Sequence, residues 1–127
     1  MSDAALEIVF DHFYARRRRD IAALTDGLDP DVVHQGVFSN LVCNGRVAVV
    51  ERVSASFDED ERGIERLAFL AAGDQVIVNI AGPRFREIPF LDGEIFMLFT
   101  LRDGRIARID DFRTLGDAQL AAQVRTA

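Results

Sequence analysis

In the first stretch of the chain, apolar residues recur at helical spacing. Leu6, Val9, Phe10, Phe13 and Tyr14 share one side of a helix predicted from Ala4 to about Arg18. Asp3 and Glu7 near its start and Arg16 to Arg19 near its end suit the helix dipole. Asp20 is placed to cap a short second helix, Ile21 to Asp26, which Gly27 stops. After Pro30, the run Asp31 to Phe38 is rich in β-formers and predicts a strand. Cys43-Asn44-Gly45 reads as a turn. Beyond it, Val49, Val50, Val53 and Phe57 form a stripe that predicts a third helix from Arg46 to Ser56, and the acidic run Asp58 to Glu61 reads as a solvated loop. The second half changes period. Gly63 to Ala72, Gln75 to about Phe85, Glu94 to Leu101 and Arg105 to Arg113 are β-rich runs separated by Gly73-Asp74, Leu91-Asp92-Gly93 and Asp103-Gly104. Such breaks mark hairpins, so a four-stranded antiparallel meander is predicted, with the earlier strand at an edge and a closing helix from Asp117 to about Val124.

Helices first and an antiparallel sheet after is an α+β order. No repeat, linker or low-complexity tract divides the chain, so one domain is expected to cover residues 1–127. Composition then narrows the chemistry. All 15 basic residues are arginine, which excludes Schiff-base catalysis on a lysine. One cysteine, Cys43, excludes an internal disulfide, and with only two histidines there are too few ligands for a closed His/Cys zinc site, so no metal is expected. A formal charge of -6 argues against nucleic acid as partner. Arg16 to Arg19 are read as complementing the helix dipole and pairing with Asp20 and nearby acids. No apolar run approaches the roughly 18 residues that span a bilayer. The acidic start, Met1 to Glu7, is unlike a secretory signal, so a cytoplasmic protein without a membrane partner is expected. Cys43 is expected to be an inert thiol and His12, beside Asp11, to be exposed.

Several pieces of the chain, in order and at their spacing, carry a resemblance. They are Phe13-Tyr14 late in the first helix, Leu28-Asp29-Pro30-Asp31-Val32-Val33-His34 entering the first strand, Asn44-Gly45-Arg46 opening the third helix, and the run from Leu101-Arg102-Asp103-Gly104 through Asp110-Asp111-Phe112. Together they resemble the nuclear transport factor 2-like superfamily, and within it the SnoaL-like group, over nearly the full length. The resemblance implies a curved sheet, antiparallel or mixed, wrapped around a cone-shaped apolar cavity covered by N-terminal helices. It commonly implies a homodimer through the sheet's outer face. A dimer is also expected because Ile77, Leu98 and Ile106 cannot all be buried beneath the helices. The fold does not fix the chemistry, because isomerases, epoxide hydrolases, cyclases, dehydratases and plain binding modules share it.

By resemblance, Asp111 on the last strand is the acid/base, preceded by pocket-lining Ile109. A carboxyl group in an apolar pocket resists ionisation because its charged form is desolvated, which suits it to proton transfer near neutral pH. Alternation puts Ala107, Ile109, Asp111 and Arg113 on one face and Ile106, Arg108, Asp110 and Phe112 on the other, without saying which looks inward. His34 stands where an epoxide hydrolase of this fold has a tyrosine and can partner Asp111 across the cavity. Gly36 takes the position of an isomerase's base, and Gln35 alternates away. Tyr14 matches an isomerase's oxyanion-stabilising phenol. The apolar wall for substrate is drawn from Phe10, Phe38, Val53, Phe57, Val78, Ile80, Ile95, Met97 and Ile109. Two departures matter. The fourth-strand run Ile95 to Phe99 lacks an isomerase's second acid, and Val78-Asn79-Ile80-Ala81-Gly82 offers only Asn79 where a limonene-type hydrolase needs Arg-x-Asp. A SnoaL-like enzyme is therefore expected, without cofactor, transferring protons on a hydrophobic carbonyl-bearing small molecule. A non-catalytic ligand-binding or dimerisation module of the same fold is the open alternative.

Overall fold

The computed structural model describes residues 2–126, with side chains for 4–124. The side chain of Asp3, expected to face the helix dipole, lies outside the described residues. The chain opens with α1 (Ser2–Arg18) and α2 (Ile21–Asp26), whose N-cap Asp20 accepts a hydrogen bond from the Ala23 amide at 3.1 Å. Then come β1 (Leu28–Gln35), β2 (Val42–Asn44), α3 (Arg46–Ala55) and α4 (Phe57–Glu61). The second half holds β3 (Arg66–Ala72), β4 (Gln75–Ala81), α5 (Pro83–Arg86), β5 (Glu94–Arg102), β6 (Arg105–Phe112) and α6 (Leu115–Thr126).

Three local expectations change. The acidic run is not a loop but the helix α4, whose first turn holds Asp58, Glu59 and Asp60, the end at which a helix dipole favours negative charge. β4 stops at Ala81, because Pro83 cannot extend a ladder and instead opens α5, so Leu91-Asp92-Gly93 ends a long connection rather than a tight hairpin. α6 starts two residues early, capped by the Thr114 hydroxyl, which accepts from the Asp117 amide at 3.1 Å.

The six strands form one curved, unclosed sheet in the order β2-β1-β6-β5-β4-β3. Only β1 against β6 is parallel, so the sheet is mixed. β1 is not the edge strand predicted. Cys43 and its neighbours, taken as a turn, pair antiparallel with Val33–Gln35 as the edge strand β2, which at three residues is too short to show alternation.

Helices α1 and α3 pack on the concave face over the main core, which includes Val9, Leu24, Val32, Val49 and Phe99. On the convex face, α6 sets Ala118 and Ala122 against Ile77 and Leu98. The expected argument for a dimer therefore fails in its particulars. Ile77 and Leu98 are buried by the chain's own last helix, and Ile106 is buried on the concave side. A bulge explains Ile106: Thr100 pairs with Arg108 but Leu101 with Ile106, leaving Ala107 as the extra residue and turning Ile106 to the same face as Ile109.

Candidate functional site

A cavity of about 260 Å³ opens on the concave side. Ile95 and Met97 of β5 line its sheet wall, and Val53 and Phe85 line the helical side. Its rim is apolar too: Phe38, Leu41, Ile88 and Phe90 remain 37–46% exposed, and the rings of Phe38 and Phe90 meet edge to face at 4.8 Å. Gly36 turns the chain from β1 into this rim. Its amide donates to the Leu41 carbonyl at 2.6 Å, and a Cβ on it would lie 2.7 Å from Leu41 Cβ.

The polar end of the cavity is built by register. His34 of β1 pairs with Ile109 of β6, and Asp111 lies two residues further along the same face. Asp111 in turn sits opposite Met97. The result is a buried contact of 2.9 Å between His34 Nε2 and Asp111 Oδ1, two residues 77 apart in sequence. Arg52 Nη2, from α3, donates to Asp111 Oδ2 at 3.3 Å. His34 Nδ1 is buried with no hydrogen-bond partner among the described residues. A buried N–H left unpaired costs more than an unpaired lone pair on a ring nitrogen, so the geometry favours the tautomer in which Nε2–H donates to the carboxylate and Nδ1 is bare. Asp111 thus meets the imidazole expected as its partner and, beyond expectation, the Arg52 guanidinium.

Two more arginines reach the cavity wall. Arg16 of α1, 7% exposed, donates from Nε and Nη2 to Asp60 and from Nη2 to Ser56 Oγ at 3.2 Å. Arg84 of α5 donates from Nη1 to Asp60 Oδ1 at 3.0 Å. Burial pulls the Arg16 guanidinium below its ordinary value, opposed by Asp60. Behind this layer lies His12, 5% exposed and not solvent-facing as expected. Burial, helped by the nearby Arg16 and then His34, lowers its pKa to about 3, which keeps it neutral.

The structure gathers Asp111, His34, Phe38, Val53, Ile95 and Met97 around one cavity. It separates others. Tyr14 is 60% exposed beneath the Arg18 guanidinium, and Phe10, 50% exposed, stacks on Phe69 at 4.3 Å. The reason is a rotated helix: α1 buries Ala5, Val9, His12 and Arg16, so the side bearing Phe10 and Tyr14 turns outward. Phe57 faces a different hollow, with Phe13, Ile64 and Leu67. Val78, Ile80 and Ile109 are core residues off the cavity wall. Sequence reading missed Arg16, Arg52 and Arg84. The first two were legible, because Arg16 continues the 5, 9, 12 stripe and Arg52 lies three residues after buried Val49. Among the described residues no group of three or more His, Cys, Asp or Glu is arranged to hold a metal ion.

No protein-family model and no curated protein matches the chain. Solved structures do. A candidate polyketide cyclase from Sinorhizobium meliloti is 28% identical over 83% of this chain and 93% of its own, with a TM-score of 0.64. A candidate ketosteroid isomerase from Kribbella flavida is 15% identical over 89% and 79%, with a TM-score of 0.66. An NTF2-like protein from Burkholderia xenovorans is 16% identical over 100% and 98%, with a TM-score of 0.64. In fold the chain is a nuclear transport factor 2-like protein, the class the curved sheet and its concave cavity define. Its neighbours, cyclases and an isomerase among them, agree with the SnoaL-like resemblance of its sequence. No helix among the described residues is long and apolar enough to cross a membrane.

Proposed function

We propose that the cavity binds a hydrophobic, carbonyl-bearing small molecule and that the chain catalyses cofactor-independent proton transfer on it, of the isomerase, cyclase or dehydratase type. The observation that carries this reading is the buried 2.9 Å contact of His34 with Asp111 at one end of a cavity whose wall is mostly apolar. In it, the Asp111 carboxylate takes a proton from the carbon next to the carbonyl. The C–H electrons move into the new C=C bond and the carbonyl oxygen becomes an enolate. Arg52 offsets that charge, and the O–H formed on Asp111 then returns its proton to another position of the same ligand. His34 is a positioning residue, fixing the carboxylate through its Nε2–H. Tyr14, exposed on α1, has no part in this step.

Exchange of the α-hydrogens of 1-tetralone in heavy water, followed by proton NMR, tests the reading without the natural substrate. Wild-type protein is expected to accelerate exchange, and Asp111→Asn to abolish the acceleration while still binding tetralone. Equal acceleration by both proteins sinks the assignment. The second reading, a non-catalytic binding module, is favoured by one observation: both oxygens of Asp111 already have hydrogen-bond partners, His34 and Arg52. It predicts no acceleration by either protein. The proposal includes a homodimer through the convex side, supported by Leu70, Leu120 and Val124, which stay exposed there.

A further inference from the structure

The three cavity arginines do not balance their acids. Among the described residues, Asp60 is the one carboxylate that pairs with Arg16 or Arg84, and it is shared between them. Arg16 takes it with Nε and Nη2, and Arg84 reaches only Oδ1 with a single Nη1 donor. Asp111 faces Arg52, again through one donor. Three guanidiniums thus line the cavity, and two carboxylates, Asp111 on its wall and Asp60 outside it, pair with them among the described residues.

A guanidinium held against apolar walls is costly to leave without a counter-charge, because the charged form loses its water. Most of the five N–H donors on Arg84 are unspent in the hydrogen bonds of the described residues, and the side chain lines the cavity at 20% exposure. The protein as a whole is acidic, with a formal charge of -6, so this local excess runs against the long-range field. It is a property of the site, not of a generally basic surface.

We propose that the ligand carries a carboxylate, bound by Arg84, on an apolar ring-bearing body that occupies the space between Met97, Ile95 and the Phe38–Phe90 rim. The third anion completes the charge balance. Arg84 is the residue that selects it, because Arg16 already holds their shared Asp60 with Nε and Nη2, whereas Arg52 faces Asp111, a carboxylate no other arginine shares among the described residues. This rests on the reading of the cavity as a ligand site and deepens it from a hydrophobic carbonyl compound to a hydrophobic carbonyl acid. A cavity of about 260 Å³ sets the size at one or two rings, near the lower end of small-molecule sites.

The test is calorimetric titration of the full chain with 1-naphthoate and with its uncharged analogue 1-naphthamide. Wild-type protein is expected to bind the acid at least about tenfold more tightly than the amide, the range of a charge-assisted hydrogen bond. Arg84→Gln is expected to remove that preference by weakening the acid alone, and Arg84→Lys to keep part of it. Equal affinity for acid and amide in the wild type, which needs no variant, overturns the carboxylate and leaves the ligand site standing. So does an Arg84→Gln protein that weakens both compounds alike. Failure of both compounds to bind overturns the ligand site and the carboxylate together. Binding of naphthoate by a protein that never accelerates tetralone exchange supports the carboxylate while removing the catalysis.

Discussion

His12 shows how one residue's surroundings reverse its apparent character. Beside Asp11 on a helix it reads as a surface imidazole, yet it packs edge-on to Phe13 and Phe99 at ring separations of 5.3 and 5.5 Å. Its pKa falls from 6.5 to about 3, first by burial and then by Arg16 and His34. Between those values the unfolded chain takes up a proton that the folded chain refuses, so this residue's effect is to lower stability as pH falls from about 6.5 toward 3 and to do nothing above that range. The slope is on the order of one kcal/mol per pH unit at most. Urea unfolding at about pH 7 and pH 5 checks it: His12→Phe is expected to lose less stability across that interval than wild type. Parallel losses in the two proteins would show that His12 titrates alike folded and unfolded. Arg16 teaches the same lesson from the other side. It reads as the first of four arginines that complement the helix dipole and pair with nearby acids, and it does pair with Asp60, but from the buried stripe one helical turn beyond His12.

At the scale of elements, sequence pattern located most segments and misjudged how they face one another. The period of α1 was evident from its apolar residues, but the heavy aromatic residues Phe10 and Tyr14 drew the predicted face, which rightly held Val9, away from buried Ala5, His12 and Arg16. Burial follows packing against β3 and β4, not side-chain size alone. The strand β2 was illegible because three residues carry no usable period, and the Ala107 bulge was illegible because an extra residue in one strand is defined only by its partner. Gly36 is the element-scale position where stability and the cavity meet. Adding a methyl group there pushes on Leu41 Cβ at 2.7 Å and on the Leu41 carbonyl at 3.2 Å, and the loop that must yield carries Phe38 and Leu41 at the rim. Gly36→Ala is expected to cost about 1–3 kcal/mol of unfolding free energy, as overpacking does. It is also expected to weaken 1-naphthoate binding. An unchanged denaturation midpoint together with unchanged affinity would show that the loop moves freely.

For the whole molecule, α6 decides what the convex face can do. By burying Ile77 and Leu98 it removes the strongest apolar reason for a partner, while Leu70, Leu120 and Val124 stay exposed on that side. A homodimer that covers them is expected to scatter light with twice the 14.2 kDa of one chain at micromolar concentration, and the mass of one chain would end that part of the proposal. The cavity, by contrast, is assembled from every layer inside the fold: α1, α3, α5, two rim loops and three strands each send at least one side chain to it. That breadth is why so much of it escaped the sequence.

Local order was written in the chain. Helix spacing, the Asp20 cap, the two tight Gly-Asp and Asp-Gly turns and the choice of Asp111 with His34 all depend on near neighbours or on a resemblance spread along the whole length. Long-range pairing was not. The parallel match of β1 with β6, the side of the sheet to which α6 returns, and the meeting of Arg16, Arg52 and Arg84 join residues tens of positions apart, and no periodicity encodes which distant partner a side chain will meet. Charge balance within a buried site is a sum over such partners, so it exists only once the chain has closed on itself.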